Sequence, residues 1–374
     1  MDRKLNIVIM GGGGILDQHA PGFERMSDFC EVKAVAEPDE SRHERIRSLL
    51  KNPKLPIYEN YEKLYELEDI DAVDIILPHH LHMDATIKAA QKGWHVLTEK
   101  VMARNTWECD RMIEACNAAG VRLVVCHDRR YAGHWVALKK VIESGVLGRI
   151  LFWKLEHNQD VIFPPNAWVR HKDMIGGGAI MSCLTHQIDA LRWMGGEIEQ
   201  VNCMTVTEPG RMEGECIGLI GAQMQSGSIA QLSINWYTQS NGPPGFPLWY
   251  EFIHVTGTEG EAYFMAGFEN GTFVKPRTPR EKDETYSNDN VSFTFKAGEQ
   301  GFFKVDHKHI DSGHVKCIEE FVKAARGEEA LILTPGSDTV KTVEVAEAAY
   351  IAQVKNCNVS LPLKDRVRWE DRPY

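Results

Sequence analysis

Residues 5–18 read Leu5-Asn6-Ile7-Val8-Ile9-Met10-Gly11-Gly12-Gly13-Gly14-Ile15-Leu16-Asp17-Gln18. Six mostly aliphatic residues predict a short buried strand. Four glycines follow at once, and then a stretch able to form a helix. Glycines directly after the first strand of a βαβ unit let the backbone approach a pyrophosphate, and the next helix offers its N-terminal N–H groups to the anion. A glycine run serves equally well as a plain flexible turn, so the surrounding pattern has to decide.

That pattern alternates. Apolar runs recur at residues 32–36, closing on Glu37, at 72–77, closing on Pro78, at 94–97, followed by Thr98-Glu99-Lys100, and at 123–126. Helix-favouring stretches lie between them at 41–50, at 84–92 before Gly93, and at 107–119 before Gly120. Glycine is the residue a helix C-terminus favours. Short buried strands separated by helices predict a doubly wound parallel sheet covered on both faces, an α/β Rossmann domain over residues 1–126. Glu37 stands 23 positions after Gly14. An acidic residue there can accept hydrogen bonds from the adenosine ribose hydroxyls and repels a 2′-phosphate. NAD is therefore favoured over NADP, with Arg42 and Arg45 softening that preference.

From about residue 127 the pattern changes. A helix is expected over 131–144, and strands over 149–157, 200–207, 216–225, 228–237 and 249–256. The stretches 225–228 and 257–260 read as hairpin turns. Helices are expected over 314–326 and 337–356. Residues 127–374 thus read as an α+β domain with a large, mostly antiparallel open sheet, expected to bind substrate and to support a homodimer or homotetramer.

The chain has 374 residues, a formal net charge of −11, 43% hydrophobic and 25% charged residues. This is the balance of a globular protein with a real core. It argues against a nucleic-acid partner, which needs clustered positive charge. No signal peptide or membrane span is read from the N-terminus. Nine cysteines without a C-x-x-C pair suit a reduced, cytoplasmic setting.

Three segments carry candidate chemistry. Pro78-His79-His80-Leu81-His82 is rich in histidine but has no carboxylate or cysteine at ligand spacing, so no metal is expected there. Lys100 follows a strand and is expected to point into the crevice where such sheets bind ligands. Residues 176–189 place three glycines before a helix on which Ser182, His186 and Asp189 fall at i, i+4 and i+7, one face of a regular α-helix. Histidine is the side chain most easily tuned for proton transfer near neutral pH, although a lone helical histidine is more often structural. Trp168, Trp236, Tyr237 and Trp249 offer flat surfaces for a sugar ring. Arg129, Arg130, Arg170, His171 and Lys172 form a local basic supply, open either to holding a carboxylated or phosphorylated sugar or to making salt bridges only, and residues 307–314 form a further polar cluster.

Taken together, these segments resemble the Gfo/Idh/MocA family of nicotinamide-dependent sugar and cyclitol oxidoreductases. The resemblance runs nearly end to end. It includes the glycine loop with His19 behind it, residues 71–78 with His82 after them, Gly93-Trp94-His95-Val96, and Glu99-Lys100-Val101 in place of Glu-Lys-Pro. It continues through Trp168 and Arg170, Gly176 to His186 with Asp189, and Val359-Ser360-Leu361-Pro362. It implies cofactor contacts from Gly11, Gly13, Gly14, Ile15, Glu37, Pro78, His79, His82, Glu99 and Lys100. It implies substrate contacts from Lys100, Trp168, Arg170, Ser182 and His186, to which the basic supply adds Arg130, with Lys100, His186, Asp189 and Ser182 carrying the chemistry. Two positions depart from the family: Val101 replaces proline, and Ser182 replaces an aspartate. The implied activity is oxidation of a secondary hydroxyl of a sugar, cyclitol or glycoside, with the C3 hydroxyl of a glycoside as one option. The alternatives are glycoside cleavage through transient oxidation and, in another class, a non-catalytic NAD-binding sensor.

Overall fold

In the computed structural model, which describes residues 3–238, 249–266, 271–288, 290–307 and 312–374, the opening stretch forms strand β1 (Leu5–Met10) and helix α1 (Leu16–Arg25), with the glycines between them. The alternation continues with β2 (Cys30–Ala36), α2 (His43–Leu49), β3 (Ile57–Tyr58), β4 (Ala72–Ile75), α3 (His82–Gln91), β5 (His95–Glu99), α4 (Thr106–Ala119) and β6 (Leu123–Cys126). All pairings among these strands are parallel, in the order β3-β2-β1-β4-β5-β6. The order reverses at β1, so the crevice beyond the carboxyl ends of β1 and β4 is the ligand-binding position of such a sheet. Strands β1 and β4 are almost wholly buried because both sheet faces are covered. Helix α4 ends where expected, on Gly120 in the left-handed region at φ 68°.

The second half forms α5 (Gly133–Glu143), β7 (Ile150–Gln159), α6 (Lys172–Ile175), α7 (Thr185–Gly195), β8 (Ile198–Val206), β9 (Ile217–Met224), β10 (Ile229–Asn235), β11 (Trp249–Gly257), β12 (Gly260–Ala266), β13 (Gly271–Pro276), β14 (Glu284–Asn288), β15 (Val291–Phe295) and β16 (Phe303–His307). Then follow α8 (Gly313–Ala325), α9 (Gly336–Lys355) and β17 (Val359–Ser360). The eleven-stranded sheet runs β14-β15-β16-β13-β12-β11-β7-β10-β9-β8-β17, with only β7–β10 parallel. Both expected hairpin turns are present, joining β9 to β10 and β11 to β12. Strands β13 to β16 lie where the sequence patterns set no element. The reason is visible in β14, which has no buried position and so no apolar alternation.

The chain forms two compact units, one of Met1–Tyr131, Asp311–Val343 and Val367–Asp371, the other of Ala132–Ile310, Glu344–Arg366 and Arg372–Tyr374. The expected boundary after residue 126 is therefore crossed again: α8 belongs to the first unit. Its Ile318, Phe321 and Val322 lie in one apolar core with Ile7, Ile9, Leu97 and Val124. Gly22 of α1 permits the close approach of the two helices, since a Cβ there would fall 2.8 Å from Ile318 Cδ1. Among the described residues no helix is long and apolar enough to cross a membrane.

Candidate active site

The glycines at the end of β1 divide into two kinds. Gly11 has φ 104°, and a Cβ on it would fall 2.5 Å from Ile76 O; a Cβ on Gly12 would fall 2.4 Å from Ile46 Cδ1. These two are glycines because the chain leaves no room. Gly13 and Gly14 would meet nothing within 4 Å, which leaves an open backbone surface at the start of α1. Ile15 caps that helix without a side-chain hydrogen bond, so no polar side chain competes there for an incoming anion. Glu37 is buried at the end of β2. Its Oε2 accepts from Gly12 N at 2.9 Å and its Oε1 from Asp39 N at 3.0 Å. Arg45 Nη1 donates to Gly12 O at 3.2 Å. The carboxylate expected to meet a ribose therefore also fixes the loop.

Lys100 follows β5 and is half-buried. The residues around it are held tightly. Glu99 Oε2 accepts from Lys100 N at 3.1 Å, and its Oε1 lies 3.0 Å from His19 Nε2. His19 Nδ1 lies 2.8 Å from Asp74 Oδ2. Burial alone raises the pKa of Glu99, but the hydrogen bond and charge of His19 outweigh it and bring it to about 2. Burial lowers that of His19, yet Asp74 and Glu99 hold it well above the usual histidine range. His82 is fully buried, with Nδ1 3.0 Å from Val101 O and Nε2 2.8 Å from Leu77 O. It ties the loop after β4, which runs from Ile76 through Pro78 to the turn at His79–Leu81, to the loop after β5. Glu99 and His82 thus act as supports for the Lys100 segment. The Lys100–Val101 peptide is cis.

Arg130 has a different place from the one expected of it. Its guanidinium is buried, donating to Leu333 O at 2.8 Å and pairing with Asp338 at 2.7 Å. A buried arginine so committed holds the first unit together instead of presenting charge to a substrate. In the second unit Trp168 and Arg170 form a short turn, half-buried, with Arg170 Nη2 donating to Gly210 O at 3.0 Å.

The glycine–histidine motif departs from a regular helix. Residues Ile180–Leu184 form a π-turn, and α7 starts only at Thr185. The expected single α-face for Ser182, His186 and Asp189 is therefore corrected: His186 and Asp189 share α7, whereas Ser182 sits in the π-turn before it. Such turns recur at functional sites. The turn lies where the preceding glycines are closely packed. A Cβ on Gly177 would fall 2.3 Å from Tyr350 Oη, and one on Gly178 would fall 2.2 Å from Glu215 O. Glu215 Oε1 accepts from Ile180 N and from Tyr350 Oη, both at 2.8 Å, and Tyr350 Oη accepts from Gly178 N at 3.1 Å. With Met181 N, which also donates to Tyr350 Oη at 3.2 Å, three orphan groups of the helix start are satisfied this way.

Burial pushes Glu215 up to about 7. A carboxyl raised on folding is stabilised in its protonated form, so its contribution is present below its ordinary pKa and is lost as pH rises toward 7. Replacing Glu215 by glutamine should therefore remove a stability loss between about pH 4.5 and 7. Denaturant melts of both proteins at several pH values check this; parallel pH profiles would contradict it.

His186 is buried on α7 and stacks on His157, with ring centroids 6.4 Å apart and planes within 7°. His157 lies 3.5 Å from Glu251, its register partner on β11. The next inward pairs on these two strands are Leu155–Ile253 and Trp153–Val255. This buried His–Glu pair at the end of an apolar ladder is a polar feature that sequence reasoning missed. Its signal was a polar residue at an inward strand position. Trp249 stands edge-on to His157 and is 38% exposed. Trp236 is instead buried against Phe163, and Tyr237 carries Arg211 over its ring at 4.2 Å. The polar cluster at 307–314 does not act as one group. His307 pairs with His134 at 3.0 Å in the second unit, His314 belongs to the first unit, and Lys308 and His309 lie outside the described residues.

Comparison with known proteins agrees with this architecture. Residues 5–127 match the GFO_IDH_MocA model, described as an oxidoreductase family with an NAD-binding Rossmann fold, and residues 135–263 match the GFO/IDH/MocA C-terminal domain. The chain is 30% identical over 217 residues to the levoglucosan dehydrogenase of Pseudarthrobacter phenanthrenivorans, covering 55% of each chain. It is 25% identical over 253 residues to the 2,7-anhydro-N-acetylneuraminate hydratase of Mediterraneibacter gnavus, covering 67% of this chain and 64% of that one. The matches thus span between about half and two thirds of these curated relatives. A solved structure of levoglucosan dehydrogenase with NADH and L-sorbose superposes with a TM-score of 0.80 at 22% identity, over 96% of this chain and 99% of that one. With the six-stranded Rossmann sheet, the glycine turn and the two matching domain models in hand, the chain belongs to the Gfo/Idh/MocA family.

Proposed function

We propose that the protein is an NAD-dependent oxidoreductase that oxidises a secondary hydroxyl of a sugar, cyclitol or glycoside. The observation that carries this reading is the open turn at Gly13 and Gly14 on the same sheet edge that presents Lys100. The open turn suits a pyrophosphate, and Glu37 suits an adenosine ribose. NAD, when bound, accepts the hydride from the carbinol carbon. Lys100 hydrogen-bonds the hydroxyl and stabilises the developing negative charge. His186 accepts the hydroxyl proton, Asp189 orients it from the next turn of α7, and Ser182 hydrogen-bonds the substrate. Pro78 and His79 border the cofactor, and Trp168 and Arg170 border the sugar. The names of the two relatives, one a levoglucosan dehydrogenase and the other an anhydrosialate hydratase, support a sugar-derived substrate.

Glu37 gives this reading a direct check. Glu37→Ala should weaken NAD binding about tenfold or more, since a hydrogen bond to a charged group contributes about 1.5–3 kcal/mol. The preference over NADP should narrow at the same time. Calorimetric titration with both dinucleotides measures it, and unchanged NAD affinity would remove Glu37 from the site.

A second reading is favoured by Ser182, where the family carries an aspartate: transient oxidation of one hydroxyl, elimination of a leaving group from the acidified neighbouring position, and return of the hydride. Incubation with NAD⁺ and a panel of sugars, cyclitols and glycosides separates the two. A product two mass units lighter with matching NADH supports the dehydrogenase. Cleaved glycoside without NADH supports elimination, and neither product with tight NAD binding favours a sensor. A homodimer or homotetramer is part of the proposal, and light scattering of the purified protein tests it.

A further inference from the structure

The first unit contains a buried cluster of which the proposed reaction uses only Glu99, as a support for the Lys100 segment. Glu99 and Cys126 close the adjacent parallel strands β5 and β6 and are direct register partners. His19 comes from α1 and His314 from the first turn of α8. One donor atom from each of these four side chains lies within 4.8 Å of every other. His19 and Cys126 are wholly buried, and Glu99 is nearly so. His314 Nε2 lies 3.9 Å from Glu99 Oε1, and the two imidazole rings are 5.5 Å apart.

We propose that His19, Glu99, Cys126 and His314 form a binding site for one late first-row divalent metal ion, of which Zn²⁺ and Co²⁺ are representatives. A sulfur, two imidazole nitrogens and a carboxylate oxygen are the donor set that such ions take and that Mg²⁺ or Ca²⁺ does not. Four protein donors with no open position suit a structural centre.

The surroundings support it independently. Metal-bound histidines usually turn their second ring nitrogen to a carboxylate. Asp74 Oδ2 stands 2.8 Å from His19 Nδ1, and Asp128 Oδ2 stands 3.6 Å from His314 Nδ1. The Cys126 thiol is approached by Cys317, one turn along α8 from His314. Asp74 Oδ1 is buried and takes no hydrogen bond among the described residues. The carboxylates of Asp74, Glu99 and Asp128 lie buried around the cluster; Arg129 pairs with Asp128, and a dication in place of the His19 proton would offset the charges of the other two. On loading, the metal replaces the proton shared by His19 Nε2 and Glu99 Oε1 and the proton of the Cys126 thiol, so two protons leave. The ion would join β5, β6, α1 and α8 and hold Glu99, whose neighbour is Lys100. The four ligands come from four distant segments, which is why no sequence spacing announces them.

Elemental analysis of the protein purified from zinc-supplemented cells, followed by Co²⁺ titration of the chelator-stripped protein, tests the site. The expected result is one metal per chain, with visible ligand-field bands and a near-ultraviolet thiolate-to-cobalt charge-transfer band. Cys126→Ser should abolish the charge-transfer band, and His314→Gln should weaken binding beyond the loss of about 10- to 100-fold that removing a residue behind a ligand costs. Cys357→Ser alters an exposed cysteine and should change neither. If Cys126→Ser does not fold, the His314→Gln titration decides. Substoichiometric metal, or cobalt spectra unaffected by Cys126→Ser or His314→Gln, would overturn the proposal and leave His19 as an imidazolium between Asp74 and Glu99.

Discussion

His186→Ala should lower kcat about 10²- to 10⁴-fold, the range for loss of a group that transfers a proton in the transition state. His186 is held on α7 just after the π-turn and stacked on His157, itself 3.5 Å from Glu251. A ring so fixed loses little entropy on reaching the reactive geometry. NAD affinity should change little, because the turn proposed to hold the dinucleotide is built from residues 11–14 and Glu37. Steady-state kinetics on the substrate found in the panel, with NAD binding measured in parallel, separates the two effects. Near-normal turnover would show that another group takes the proton.

The second large effect is on stability. Gly178→Ala should cost about 1–3 kcal/mol or more, the range for overpacking. The upper end is expected because its Cβ would fall 2.2 Å from Glu215 O and 2.5 Å from Glu215 N, backbone atoms that cannot rotate away. Gly214 meets the same segment from the other side, with a Cβ that would fall 2.0 Å from Gly177 O. Two stretches of main chain lie against each other here, and the strain passes directly into the π-turn that carries Ser182. Activity should fall with stability. Denaturant unfolding compares the variant with Gly301→Ala, whose Cβ meets nothing within 4 Å. Equal, small losses in both would mean that the crowding relaxes at little cost.

How much of this was legible depends on the range of the interaction. The Rossmann half was readable because its signals are local: apolar runs of strand length, glycines at helix ends, an acidic residue closing β2. Lys100 was placed correctly at the end of β5 for the same reason. The π-turn was not readable, because the i, i+4 rule assumes a regular helix and the groups that bind its N-terminal N–H groups, Glu215 and Tyr350, are distant in the chain. Arg130 looked available for substrate because its partners Leu333 and Asp338 lie about two hundred residues away. His157 and Glu251 could be joined only by the register of β7 against β11.

The sequence by itself determined the alternation of strand and helix, the dinucleotide turn, the change to an antiparallel sheet, and the residues the family signature marks. Periodicity and backbone conformation are properties of neighbouring residues, and they survive without a partner. Only the tertiary structure decided that α8 belongs to the first unit, and that His19, Glu99, Cys126 and His314 meet in one buried cluster. It alone showed which glycines are open to a ligand and which are crowded by the chain. Those outcomes depend on packing between segments far apart in sequence, where burial and charge act through space and leave no mark on local spacing.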